Sequence, residues 1–236
     1  MQKIELTKFE ELDYRSNESY KSLRTNIQFC GNDIKVILST SCTQNEGKSR
    51  VTFNLADSFA QMGKKVLLID ADLRKSVLIG RYRVNQEVFG LSEYLSGQKS
   101  LDEVLCETNH ENLNVIFSGH VPPNPAELLG NQYFTDLVKW AKEEYDYVFI
   151  DTPPLGVIID SAVVARVADG AIIVIENNAI SRKFVLDVKK QLEKSNCRIL
   201  GAVLNKVSTD TRGKYGKYYG NYYGKYYGHY GEYGLD

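Results

Sequence analysis

Six short apolar runs constrain this chain more than any other feature. They are Val36-Ile-Leu-Ser-Thr40, Val66-Leu-Leu-Ile-Asp70, Asn114-Val-Ile-Phe117, Tyr147-Val-Phe-Ile-Asp151, Ala171-Ile-Ile-Val-Ile175 and Ile199-Leu-Gly-Ala-Val-Leu204. They are almost wholly apolar rather than alternating, as strands are when both faces are covered. Helical patterns over 48–62, 131–144, 160–167 and 181–194 separate them, and another covers 16–29. Repetition of strand, helix, strand predicts an α/β fold, a mostly parallel sheet with helices on both faces. The 236 residues suffice for one such domain over 1–207 and a tail over 208–236.

Charge excludes some partners. The 29 Lys and Arg against 30 Asp and Glu give no basic surface of the kind that holds nucleic acid. Cys30, Cys42, Cys106 and Cys197 are scattered, without metal-ligand spacing or the density of a disulfide scaffold, so a reduced, cytoplasmic chain is expected. The polar N-terminus does not read as a leader, and no apolar run approaches the ~20 residues a spanning helix needs. Membrane association is therefore expected only through a partner.

Between the first strand and its helix stands Ser39-Thr-Ser-Cys-Thr-Gln-Asn-Glu-Gly-Lys-Ser49. Gly47-Lys48-Ser49 is the core of a phosphate-binding loop. Backbone N–H groups and a helix N-terminus hold phosphate oxygens there, Lys adds a point charge, and Ser completes a Mg²⁺ shell. Gln44, Asn45, Glu46, Gly47, Lys48, Ser49 and Arg50 are the candidate nucleotide contacts. Cys42 stands where the usual pattern begins with Gly. Asp70, Asp72 and Asp151 sit at strand ends, on the edge where parallel sheets bind ligands. Mg²⁺ on nucleotide phosphates takes one or two such carboxylates. One of Asp70 and Asp72 could hold metal while the other accepts a hydroxyl proton. Alternatively, single acids of this kind cap helices. Asn205 ends the last strand on the same edge and is a candidate for reading the base, a plain loop being the other reading.

These residues resemble the bacterial tyrosine kinase family, close to the capsule and exopolysaccharide kinases of Gram-positive bacteria. The loop resembles its Walker A, LLIDADLRKS its second motif D-x-D-x-R, VFIDTPP its Walker B, and Pro122-Pro-Asn-Pro-Ala-Glu-Leu-Leu129 a further family segment. The resemblance implies catalysis by Lys48, Asp70, Asp72 and Asp151, ATP as substrate, and Mg²⁺ held by Ser49, Asp72 and Asp151. It places Asp70 near the attacking tyrosine. It further implies autophosphorylation between subunits of a ring-like homo-oligomer, a membrane adaptor that activates the kinase, a cognate tyrosine phosphatase, and a role in polysaccharide synthesis and export. The family's oligomerisation motif E-x-x-R-x-x-R appears as Glu18, Lys21 and Arg24, on one helical stripe, and Lys21 cannot reproduce the bidentate fork of Arg.

The tail carries Tyr215, Tyr218, Tyr219, Tyr222, Tyr223, Tyr226, Tyr227, Tyr230 and Tyr233 among frequent glycines, and is expected to be disordered. Thirty flexible residues span roughly 30 Å, enough to reach an active site. These tyrosines are the candidate phosphoacceptors. Two other readings share the motifs. A partitioning or division-site ATPase switch would carry a second Lys where Thr43 stands and would lack the tyrosine tail. A non-catalytic protein phosphorylated by another kinase would keep the tail alone.

Overall fold

In the computed structural model, the described residues are 1–9 and 11–207. The predicted tail and its nine phosphoacceptor tyrosines lie outside them. The elements run β1 Gln2–Lys3, α1 Tyr14–Gln28, β2 Val36–Ser41, α2 Lys48–Ala60, β3 Val66–Asp70, α3 Leu78–Tyr82, α4 Leu91–Leu95, α5 Leu101–Val104, β4 Leu105–Glu107 and β5 Leu113–Ile116. They continue α6 Pro125–Leu129, α7 Gln132–Glu144, β6 Tyr147–Asp151, α8 Asp160–Val164, a 3₁₀ turn Ala165–Val167, β7 Gly170–Glu176, α9 Arg182–Glu193 and β8 Arg198–Asn205. All of these elements lie in one compact unit, Met1–Asn205.

Eight strands form one sheet in the order β1-β4-β5-β3-β6-β2-β7-β8. The six strands from β5 to β8 are parallel, and β4 is antiparallel to β5. Alternate residues of each central strand enter opposite cores, which is why these strands have no polar face. Val36, Leu38, Leu67, Ile69, Val148 and Ile150 pack with α7 and α9 through Phe134, Leu137, Val188 and Leu192. Ile37, Val66, Leu68 and Phe149 pack on the other side, with Phe53, Leu55 and Phe59 of α2 and Ile27 of α1. The fold is thus the predicted parallel sheet with helices on both faces.

Local signals set the helix starts. Asn131 and Ser181 accept from Phe134 N and Phe184 N, so the expected helices begin one residue later than the pattern suggested. Asp13 accepts from Ser16 N at 2.9 Å, and α1 therefore starts at Tyr14, two residues before the predicted 16. The pattern over 160–167 splits into α8 and the 3₁₀ turn.

The expected outward stripe on α1 also divides. Lys21 pairs with Glu18 at 2.7 Å near the surface. Arg24 instead turns onto α2, donating to Ser58 O at 2.5 Å and Ser58 Oγ at 3.2 Å. It clamps two helices within the chain.

Candidate active site

The site follows from register. Asp70 and Asp151 are paired residues on adjacent strands β3 and β6, and Asp151 is also opposite Ser39 of β2. Strand ends at 41, 70 and 151 therefore open on one edge, around the loop that leads into α2. Lys48 is buried at 6% exposure. Its ammonium donates to Asp151 Oδ1 at 2.6 Å and lies 3.3 Å from Ser49 Oγ. Thr52, one turn further along α2, reaches the same Asp151 oxygen at 3.4 Å.

Asp70 is completely buried. Burial, then the Asp151 charge, pushes its carboxyl up to about 8, against the pull of Ser76 Oγ and Lys48. Ser76 donates to Asp70 Oδ2, and Asp72 N donates to Asp70 Oδ1 at 3.2 Å. Asp72 is half-buried and accepts from Lys75 N at 3.0 Å. The three acids and Lys48 thus form one electrostatic group, with a single ammonium against the carboxylates. A divalent cation relieves that kind of repulsion, so the residues fit magnesium. Among the described residues no three His, Cys, Asp or Glu side chains form a ready metal cage.

The loop departs from the common glycine pattern and keeps its geometry. Only Asn45 at φ 65° and Gly47 at φ 87° adopt left-handed backbone within 39–49, and Asn tolerates that region better than most residues. Cys42 has ordinary φ, so its side chain fits where Gly is usual. Glu46 is 1% exposed, and its carboxylate turns into the fold, accepting from Thr43 N and from Glu176 N at 2.9 Å. Asn205 Nδ2 donates to Glu46 O at 2.8 Å, which places Asn205 against the loop. Gln44, Asn45 and Arg50 are exposed on the same segment.

One residue of the site carried no sequence signal. Asp160, fully buried at the start of α8, accepts both guanidinium donors of Arg74, at 2.7 and 3.0 Å. This bidentate pair locks the turn after β3 to the segment after β6. The latter is fastened to β2 as well, through Thr152 Oγ1 to Ser39 O at 2.8 Å and Thr40 Oγ1 to Pro153 O at 3.0 Å. Asp160→Ala should cost about 1–3 kcal/mol, below a fully buried pair because Arg74 is partly exposed. A urea melt measures it. Nucleotide KM should rise together with that loss as the turn bearing Asp72 loosens.

The arrangement defines a P-loop nucleotide-binding fold with acids at two strand ends. An AAA domain family profile matches residues 35–200. "Tyrosine-protein kinase CpsD" of Streptococcus agalactiae is 44% identical over 206 residues, 86% of this chain and 90% of that protein. The crystal structure of the chimerical protein CapA2B2 superposes with TM-score 0.79 at 29% identity, covering 86% of this chain and 93% of that one. The kinase domain of Escherichia coli tyrosine kinase ETK superposes with TM-score 0.76 at 35% identity, covering 82% and 78%. The chain belongs to the bacterial tyrosine-protein kinase family.

Proposed function

We propose that this chain is an ATP-dependent protein-tyrosine kinase that phosphorylates the tyrosine cluster Tyr215–Tyr233, between subunits, in control of capsular or exopolysaccharide synthesis. The observation that carries the reading is the buried Asp70 and Asp151 pair beside Lys48 at the mouth of a phosphate loop. The D-x-D-x-R segment builds half of that pair, and the CpsD relatives bear the name of the activity.

In this reading Lys48 Nζ and the backbone of 44–49 hold the β- and γ-phosphates. Ser49, Asp72 and Asp151 hold Mg²⁺, which when bound neutralises phosphate charge at the transferring group. Asp70, in its ionised form, takes the phenolic proton as the tyrosine oxygen bonds to the γ-phosphorus and the bond to the ADP oxygen breaks. Asn205 borders the base. Glu18 and Lys21 are available for contacts between copies in an oligomer. A membrane adaptor would hold the chain at the inner face of the membrane, since no helix among the described residues is long and apolar enough to cross one. A tyrosine phosphatase would reverse the modification.

The switch-ATPase alternative loses support at Thr43. Such switches carry a second lysine at that position, and threonine offers no cation to the phosphates there. Mapping phosphate by mass spectrometry after incubation with ATP and Mg²⁺ tests the proposal. Modification should concentrate on Tyr215–Tyr233. Phosphate confined to residues 1–207, or absent, would refute it.

A further inference from the structure

We propose that Glu46 is a positioning residue, an anionic strut that fixes the phosphate loop to the ends of β7 and β8. The inference rests on the nucleotide-binding part of the reading above. A loop built for a polyanion gains nothing electrostatically from a carboxylate two residues before its lysine. This one is nevertheless almost fully buried.

Its contacts supply the reason. Oε1 accepts from Thr43 N, with Thr43 Oγ1 at 3.1 Å, and so closes the turn from 43 to 46. Oε2 accepts from Glu176 N at 2.9 Å, the last residue of β7. The Glu46 carbonyl accepts from Asn205 Nδ2 at 2.8 Å, the last residue of β8. One residue thus joins the loop to two neighbouring strand ends. Left-handed Asn45 and Gly47 flank it. The fit is close: a Cβ on Gly47 would meet Asn205 Nδ2 at 2.1 Å.

Two N–H donors face the two carboxylate oxygens, and that decides between charge and geometry. Glutamine has nearly the same shape and no charge, but it offers one acceptor and one amino group. The amino group would confront an N–H donor, leaving a buried donor without a partner. If the charge of Glu46 merely opposed phosphate, Glu46→Gln would tighten nucleotide binding. If the carboxylate is a strut, the same change loosens the loop and weakens binding.

The test uses the full chain, wild type and Glu46→Gln, with Glu46→Asp as a shortened carboxylate. Affinity for a fluorescent ADP analogue with Mg²⁺ is titrated, and ATP KM and kcat are measured for tyrosine labelling. Glu46→Gln should weaken nucleotide binding about tenfold and raise KM correspondingly, with kcat at saturating ATP changed less than about threefold. Glu46→Asp should fall between the two. Unchanged or tighter binding by Glu46→Gln would overturn the proposal. So would a loss of binding-competent molecules at unchanged affinity, the mark of a residue needed only for folding. A wild-type chain that binds the analogue but never labels tyrosine would refute the kinase reading alone.

Discussion

Lys48→Met should lower phosphotyrosine formation by on the order of a hundredfold to a thousandfold, the range for removing a preorganised charge from a developing anion. Methionine nearly retains the length and packing of the lysine stem, so the change removes charge more than volume. The second consequence is thermodynamic. Lys48 is the cation that faces Asp151, and its loss leaves Asp151 and Asp70 buried together. Truncating one partner of a buried pair costs about 3–5 kcal/mol when the other stays charged, less if the acid takes up a proton. The variant should therefore melt several degrees lower while remaining folded. Binding of the fluorescent ADP analogue, thermal melting and phosphotyrosine detection together check the result. Labelling that survives Lys48→Met would mean that another kinase is the source.

Asp70→Asn separates chemistry from stability. Turnover should fall about a hundredfold to ten-thousandfold, the contribution of a positioned general base, while ATP KM moves less than about threefold. Asp151→Asn should instead raise the Mg²⁺ concentration needed for activity. Stability should move the other way for Asp70→Asn. The folded carboxyl is held at about 8, above its value of 3.8 in an ordinary setting. Ionising it thus opposes folding, and the penalty builds as pH rises from about 4 toward 8. In chelator, without metal, Asp70→Asn should be about 1–3 kcal/mol more stable than wild type at pH 9 and nearly equal to it at pH 4. Equal urea midpoints at both pH values would show that Asp70 is not strained by its neighbours. Equal loss of nucleotide affinity in Asp70→Asn and Asp151→Asn would remove the division of roles.

Much of this was legible in the chain because burial on both faces leaves a plain mark. The six apolar runs became six parallel strands, and their terminal acids met because register follows from strand pairing. The short elements outside those runs left no such mark. β1 and β4 are too short to establish a period, and α3 to α6 each make little more than one turn. Side-chain choices were hidden for another reason. Glu46, Arg24 and Asp160 look like surface residues in sequence, yet each turns to a partner 34 or more positions away: Glu46 to Glu176, Arg24 to Ser58, Asp160 to Arg74. Local spacing carries no information about such partners. Cys42 looked like a departure from a glycine pattern, but its backbone is not left-handed; within 39–49 only Asn45 and Gly47 adopt that region, and Asn accepts it.

The central claim is that one pocket made by Lys48, Asp70, Asp72 and Asp151 moves phosphoryl groups from ATP to tyrosine. Purified wild-type chain, incubated with γ-labelled ATP and Mg²⁺, tests it when phosphotyrosine and ADP are counted in the same sample. Each ADP released should be matched by one labelled tyrosine until the acceptors are filled. ADP accumulating with free phosphate and no labelled tyrosine, even with a membrane adaptor's cytoplasmic segment added, would contradict the claim.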